Sequence, residues 1–392
     1  MPYNILHVIP YMHPSAGGPP VVVENFVREA NELGHRSCIL STPGYCNGDG
    51  GELLKRLEQI APTTFLNPLE ILPVIGRVGS GTIEAQVREA DIVHVHTLWS
   101  PLNVSARHAC ARLGRPYVLM PHGMLDPYSL SVRALKKSAY LHMFEKHNIA
   151  RAARMIYTTP EEERLAKLAG VPLPEGALVP LGANASSAPE GLLRAQFLQR
   201  FPHAAGKRVL LFLGRLHPKK GLDRILRCIH SLKPTVPNLL LVIAGDGDVR
   251  YTDELRRTVG ELFLQDNVLF AGRLDGDLKW ASFATAELFL LPSRQENFAI
   301  TVAEAMQMGV PVIVTDKVNT WPYVEEAGAG LVLDERRVDA LLPRAVAEIL
   351  SDDAARARMG EQGTRYARER LTWHRAGREL LACYDQVVLN NR

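Results

Sequence analysis

Cysteine is scarce in this chain, and its five copies are odd in number and scattered. Cys38, Cys46, Cys110, Cys228 and Cys383 form no C-x-x-C pair. That argues against a disulfide framework and against a zinc site, and it places the chain in a reducing, cytoplasmic compartment. No apolar run approaches the ~18 residues that a membrane-spanning helix needs. The stretch MPYNILHVIPYMHPSAGG lacks a basic n-region and reads as a strand entering a glycine loop, not as a signal peptide. Charge of one sign is missing too, since a net charge of +3 is too small to argue for nucleic acid as a partner. Two common nucleotide loops are also absent. Neither first-strand loop reads G-x-G-x-x-G with an acidic residue ~20 positions on, which argues against a dinucleotide dehydrogenase. No G-x-x-x-x-G-K-[ST] is present, which argues against a P-loop NTPase. No Asp-x-Asp and no His or Cys cluster with ligand spacing is visible, so neither a metal nor another cofactor is expected.

What is present is the composition of a soluble globular protein, 46% hydrophobic and 22% charged. A length of 392 residues favours two or more domains over one. Short apolar runs alternate with amphipathic segments. In the first half they are 5–9, 37–41, 92–96, 117–120 and 155–158; in the second, 208–213, 239–244, 268–270, 288–291 and 312–314. They are β-branched or Leu-rich and nearly continuous, as strands buried on both faces of a parallel sheet should be. Helical patterns lie between them, as in 20–33 and 222–232. This βαβ rhythm starts twice, at Asn4-Ile-Leu-His-Val-Ile-Pro and at Arg208-Val-Leu-Leu-Phe-Leu-Gly, each time running into a glycine-bearing loop and a helix. The expected fold class is therefore α/β, with two Rossmann-like doubly wound domains. Residues 1–185 form the first and 186–370 the second, joined by a small, polar linker within 181–202, with a C-terminal helix over about 361–388.

The densest stretch is 293–315, SRQENFAITVAEAMQMGVPVIVT. Glu296 and Glu304 stand eight positions apart. Glu296 lies in a loop, and Glu304 lies about one turn inside the helix that follows, because Ile300 and Glu304 are i,i+4 neighbours. The free N–H groups of that first turn suit a phosphate. Two carboxylates flanking such a site can accept hydrogen bonds from hydroxyls on either side of it. A sugar joined through a diphosphate to a ribose has that layout.

This stretch resembles the Glu-x7-Glu signature of the retaining nucleotide-sugar glycosyltransferases often numbered family 4, which have the GT-B fold. The likeness covers nearly the whole chain and is densest over 209–333. It implies two domains facing across a cleft, with the last helix, 371–392, packing back on the N-terminal domain. It also implies that the first domain binds the acceptor and the second the donor. The usual form is Glu-x-Phe-Gly, whereas here the glycine position is Ala299.

The resemblance assigns residues one at a time. Arg215 and Lys220 of Gly214-Arg-Leu-His-Pro-Lys-Lys-Gly match the pair that clamps the donor diphosphate, a task suited to charge-assisted hydrogen bonds. Lys219 is expected to be exposed. Glu296 would bind donor sugar hydroxyls and Glu304 the ribose, with Asn297, Phe298, Ala299, Ile300 and Thr301 lining the donor between them. Gly17 and Gly18 would lie beside the diphosphate. Gly245, Asp246 and Gly247 end a strand at the donor site, and Arg273 and Leu274 fall where the family holds the base. His122 matches the His before Gly that contacts the donor sugar and the reaction centre. His96 and Asp126 are candidates for the acceptor. The implied reaction is transfer with retention from a UDP- or GDP-hexose to a glycan, lipid-linked or metabolite acceptor. A non-catalytic nucleotide-sugar binder and a sugar-nucleotide epimerase on the same fold are the alternatives.

One segment concerns a partner. Residues 131–154 hold Arg133, Lys136, Lys137, Lys146, Arg151 and Arg154 against Glu145 alone, with Leu135, Tyr140, Leu141, Met143 and Phe144 interleaved. A basic amphipathic helix of this kind can lie on an anionic membrane, which would make the chain peripheral to its inner face.

Overall fold

The computed structural model describes residues 2–46, 49–66 and 81–391. The chain divides into two compact units, one of residues 1–181 and 373–392 and the other of residues 182–372.

The first unit carries a seven-stranded sheet, all of whose pairs are parallel. Its strands are β1 Asn4–Val8, β2 Arg36–Ser41, β3 Thr63–Phe65, β4 Ile92–His96, β5 Tyr117–Met120, β6 Arg154–Tyr157 and β7 Gly176–Leu178, in the order β3-β2-β1-β4-β5-β6-β7. Every residue of β4 and β5 is buried, which is why those runs read as continuous apolar stretches. The helix Pro101–Leu113 starts where Ser100 accepts a hydrogen bond from Leu102 N, and it stops at Gly114, whose φ of 63° is left-handed.

The second unit repeats the plan with β8 Arg208–Leu213, β9 Leu239–Ala244, β10 Val268–Gly272, β11 Leu288–Leu291, β12 Val312–Thr315 and β13 Gly330–Leu333, in the order β10-β9-β8-β11-β12-β13. In both sheets the order reverses beside the first strand, between β1 and β4 and between β8 and β11. Ligands of doubly wound sheets bind at such points, outside the carboxyl ends of the strands.

Three strands escaped the sequence reading: β3, β7 and β13. They have three, three and four residues, lie at sheet edges and are largely half-buried, so none presents a continuous apolar run. The region expected as linker is also more ordered than its composition suggests, for it contains the helix Glu190–Arg200, which buries Leu193 and Phe197.

The expected single C-terminal helix is two helices, Asp353–Arg370 and Trp373–Asn390. The break has a cause at Leu371. Its carbonyl accepts from Ala183 N at 3.0 Å and from Gln307 Nε2 at 3.2 Å, instead of continuing a helical ladder. The earlier helix belongs to the second unit and the later one to the first. There Trp373 meets Phe26 edge-on at 5.9 Å between ring centres, Tyr3 donates to Asp385, and the Tyr384 hydroxyl lies 2.6 Å from His94 Nδ1. Tyr384 is fully buried. Tyr384→Phe will strand a buried ring nitrogen and should lower stability by about 1–3 kcal/mol, readable by chemical denaturation; an unchanged midpoint would show that this hydrogen bond does not hold the helix.

The basic segment is not one helix. A short helix Pro127–Ser131 ends at Val132, and Arg133, whose φ is 57°, opens the next. A helical run then passes from Ala134–Tyr140 through a π turn Leu141–Glu145 into Lys146–Ala150. Arg154 lies in β6 and pairs with Glu175 at 2.8 Å. Glu145, Asn148 and Ile149 face inward, while Leu135 and Met143 are 89% and 61% exposed. Among the described residues, no helix is long and apolar enough to cross a membrane.

Candidate functional site

In the second unit the loops after β8, β9 and β11 pack backbone against backbone. A Cβ on Gly245 would stand 2.0 Å from Gly214 O, and one on Gly221 would stand 2.3 Å from Pro292 O. Leu216 N donates to Asp246 O at 2.7 Å, and Arg294 N donates to Lys219 O at 2.7 Å. Gly247 lies equally close to Leu216 O. These three glycines are required for the fit of one loop on another, whatever else they do.

The fit aims Lys220 at Glu296. Lys220 Nζ is 2.8 Å from Glu296 Oε1, with side chains 13% and 10% exposed. Lys219 Nζ reaches the same oxygen at 3.5 Å and Gln295 Oε1 at 3.4 Å, so Lys219 is half-buried and part of the cluster, contrary to the sequence expectation. Burial works against ionisation of Glu296, but Lys220 and then Lys219 outweigh it and hold the carboxyl below its usual range. Arg215 is exposed, and no carboxylate partner is found for it among the described residues. Two lysines thus face one carboxylate, and Arg215 lies close enough to act on Lys220, which leaves positive charge for an anion.

Glu296 leads through Asn297 and Phe298 into the helix Ile300–Gln307. Phe298 is buried and anchors the loop near Tyr323. Ala299 caps the helix with φ 53° and ψ 68°, a left-handed conformation that explains why glycine is usual at this position. Ile300 and Thr301 are half-buried in the first turn. Glu304 is 4% exposed, and its Oε1 lies 2.6 Å from Lys279 Nζ, while its Oε2 is buried without a partner. Burial raises the Glu304 carboxyl above its usual range, and Lys279 opposes that shift. Asp246 and Arg273 are exposed, Arg273 pairs with Asp275 at 2.8 Å, and Leu274 is buried.

In the first unit, Gly17 and Gly18 open the helix Gly18–Glu32. Gly17 has φ 99°, and a Cβ on either residue would meet open space, so the backbone there is accessible to a ligand. His122 follows β5 with a left-handed φ of 52°. His96 ends β4 fully buried, with Nδ1 3.1 Å from His122 Nε2 and Nε2 3.0 Å from His7 Nδ1. Both its ring nitrogens are engaged, so it is not placed to touch an acceptor as the sequence reading supposed. Asp126 is buried and caps the helix Pro127–Ser131 by accepting from Tyr128 N at 2.7 Å. That capping bond is the structural role the sequence reading did not foresee.

The sequence reading missed Lys279, His7 and His94. It also expected no histidine cluster, yet His7, His94 and His96 are fully buried and bring ring nitrogens within 4.8 Å of one another. The available signal was polarity inside otherwise apolar strands, in ILHVI and IVHVH.

Comparison with known proteins now fixes the family. The model described as glycosyl transferases group 1 matches residues 194–366, and that described as glycosyl transferase 4-like domain matches residues 17–182. A GDP-mannose-dependent alpha-mannosyltransferase of Mycolicibacterium smegmatis is 29% identical over 76% of this chain and 74% of its own length. A GDP-mannose-dependent alpha-(1-6)-phosphatidylinositol monomannoside mannosyltransferase of the same organism is 31% identical over 49% of this chain, and the match spans about half of that relative, 51%. Among solved structures, Anabaena Alr3699/HepE in complex with UDP and glucose has a TM-score of 0.81 at 18% identity, covering 98% of this chain and 100% of that one. Sucrose-phosphate synthase from Thermosynechococcus elongatus has a TM-score of 0.78 at 19% identity, covering 99% and 100%. The chain belongs to the group 1 glycosyltransferases of the family 4 type, and its two α/β units have the GT-B fold.

Ala299→Gly should relieve the left-handed strain and stabilise the protein by up to about 1 kcal/mol, measured by chemical denaturation. A destabilised variant would show that the alanine methyl makes a packing contact worth more than the strain.

Proposed function

We propose that this chain is a retaining hexosyltransferase that uses a nucleoside-diphosphate sugar and a hydroxyl acceptor on a glycan, glycolipid or metabolite. The observation that carries this reading is the Lys219–Lys220–Glu296 cluster with Arg215 beside it, at the start of the helix Ile300–Gln307. In this reading Arg215, Lys220 and the N–H groups of the helix start bind the diphosphate. Glu296 then accepts hydrogen bonds from the donor sugar, and Glu304, whose Oε2 is left over, accepts from the ribose. Gly245, Asp246, Gly247, Arg273, Leu274, Asn297, Phe298, Ala299 and Thr301 surround the rest of the donor. In the first unit, Gly17 and Gly18 are the candidates for the diphosphate, His122 for the donor sugar and Asp126 for the acceptor.

Transfer with retention needs no protein nucleophile. The bond from the anomeric carbon to the phosphate oxygen breaks, and the acceptor oxygen bonds to the same face. The acceptor proton passes to the departing phosphate. Negative charge grows on that phosphate, where the cations stabilise it in place of a metal ion. GDP-mannose is the first donor to test, because two relatives are named for it.

The basic segment supplies the second part of the reading. Exposed Val132, Leu135 and Met143 stand among exposed Arg133, Lys136 and Lys146, a combination that suits an anionic membrane surface. Leu135→Ser with Lys136→Ser should reduce co-sedimentation with phosphatidylglycerol vesicles several-fold. Equal recovery with phosphatidylcholine vesicles, or no effect of the double change, would remove this part.

Thermal shift and transfer assays with EDTA present, using GDP-mannose, UDP-glucose and the free nucleotides, test the main reading. Lys220→Ala should weaken nucleoside diphosphate binding roughly tenfold to a hundredfold, the scale of one charged hydrogen bond. Glu296→Gln should lower kcat by roughly a hundredfold. It also leaves Lys220 without its counter-charge, so the variant should be less stable alone and gain more from a nucleoside diphosphate than the parent does. Unchanged affinity in the first variant and unchanged turnover in the second would overturn the assignment. Binding without turnover would favour a non-catalytic binder, and an epimerised donor would favour an epimerase.

A further inference from the structure

The first unit contains a chain of histidines, of which the reaction above uses only His122. His7 Nδ1 and His96 Nε2 are 3.0 Å apart, and His96 Nδ1 and His122 Nε2 are 3.1 Å apart. His7 and His94 are register partners on β1 and β4, and the His94 ring stacks on that of His96 at 3.9 Å. His7, His94 and His96 are fully buried, with no carboxylate among their hydrogen-bond partners. Both His96 nitrogens face neighbouring rings and His94 Nδ1 faces the Tyr384 hydroxyl, so a cation bound here would have to break those hydrogen bonds.

Burial alone holds His7 and His122 down at about 3, and it keeps His94 and His96 well below their ordinary range. All four rings are therefore neutral at physiological pH, and each carries one N–H. Two hydrogen bonds link three rings, so only two arrangements are consistent. Either all three carry the proton on Nδ1 and the last N–H lies on His122 Nδ1, or all three carry it on Nε2 and the last N–H lies on His7 Nε2.

The surroundings of His94 decide between them. Among the described residues the buried Tyr384 hydroxyl has no other acceptor for its proton, so that proton is satisfied only if the hydroxyl donates to His94 Nδ1, which puts the His94 proton on Nε2. His94 Nε2 and His7 Nε2 are both buried without partners, and the two rings are 5.4 Å apart. A proton on His7 Nε2 would seal two N–H groups without acceptors into one apolar site. A bare His7 Nε2 places an acceptor beside a donor instead. At the other end, no partner is found for His122 Nδ1 among the described residues, and His122 is only half-buried.

We propose that His7 and His96 are positioning residues that lock His122 as the neutral Nδ1–H tautomer, so that it offers a fixed hydrogen-bond donor, and not a base, to an oxygen of the donor sugar. The sugar contact rests on the function proposed above; the tautomer does not.

The test is a long-range 1H–15N correlation spectrum of the full chain labelled with 15N-histidine, recorded at neutral pH without ligand and assigned by single His→Gln variants. The expected result is protonated Nδ1 and bare Nε2 for His7, His96 and His122. A protonated Nε2 on His122, an imidazolium at any of the three, or stoichiometric zinc in the purified protein would overturn the proposal. His7→Leu removes the first donor, so His122 should shift toward a mixture of tautomers and kcat should fall about tenfold with little change in KM. His7→Asn, which keeps an N–H near the Nδ1 position, should restore most of both. Identical His122 signals in the parent, the Leu variant and the Asn variant would show that His7 sets nothing. If the tautomers are as expected but no donor is turned over, the glycosyltransferase reading fails and the locked tautomer stands.

Discussion

Close backbone packing at the edge of the second sheet is the constraint on which the candidate site depends. Ideal Cβ atoms on Gly245, Gly247 and Gly221 would stand 2.0, 2.2 and 2.3 Å from the carbonyl oxygens of Gly214, Leu216 and Pro292. The loops can approach that closely only without side chains. A buried ion pair such as Lys220–Glu296 is weak support for a fold, because desolvation offsets much of its attraction. The pair is therefore not what holds the loops. The loops are held by their backbone fit and by the buried strands β8, β9 and β11 behind them, and the pair is positioned by them. This arrangement lets the charges serve a ligand, since their geometry survives an exchange of partners.

Much of this plan was legible in the sequence. Runs such as Leu239–Ala244 are buried at every position, and their continuous apolarity announced parallel strands. The glycine loops and the spacing of Glu296 and Glu304 marked the loops where the structure gathers Lys219, Lys220 and Glu296. What was not legible arises from contacts between distant parts of the chain. Lys279 meets Glu304 from a neighbouring helix, Tyr384 meets His94 across 290 positions, and Leu371 ends a helix because Ala183 and Gln307 claim its carbonyl. Propensity and periodicity carry no record of such partners. The edge strands β3, β7 and β13 were missed for a local reason, being too short and too exposed to show a period.

The two units share a strand order but differ in how they manage polar groups at the switch point. The second keeps charge there, with Lys219 and Lys220 against Glu296. The first keeps neutral imidazoles, stacked and hydrogen-bonded to one another. The difference follows from burial. Glu296 and Lys220 retain about a tenth of their side-chain surface, whereas His7, His94 and His96 retain none. Full burial disfavours charge more than a single partner can repair.

Backbone strain points to the same places. Four non-glycine residues with left-handed φ follow strand ends at the two switch regions: Thr97 and Trp99 after β4, His122 after β5 and Ala299 after β11. Such residues cost on the order of 1–2 kcal/mol each and persist only where their surroundings over-determine them. Those surroundings are visible. Asn103 Nδ2 donates to Thr97 O, Trp99 N donates to buried Glu145, Gly123 N beside His122 donates to Glu162, and Val302 N donates to Ala299 O. Four separate hydrogen bonds hold four strained residues where relaxed backbone would turn His122 and the helix start at Ile300 elsewhere. A fold under no demand beyond stability would have placed glycine there, as it does at Gly114 and Gly328. The strain at His122 and Ala299 is in keeping with the ligand roles proposed for those strand ends, although Tyr45, Arg133, Asn238 and Phe263 carry the same conformation elsewhere.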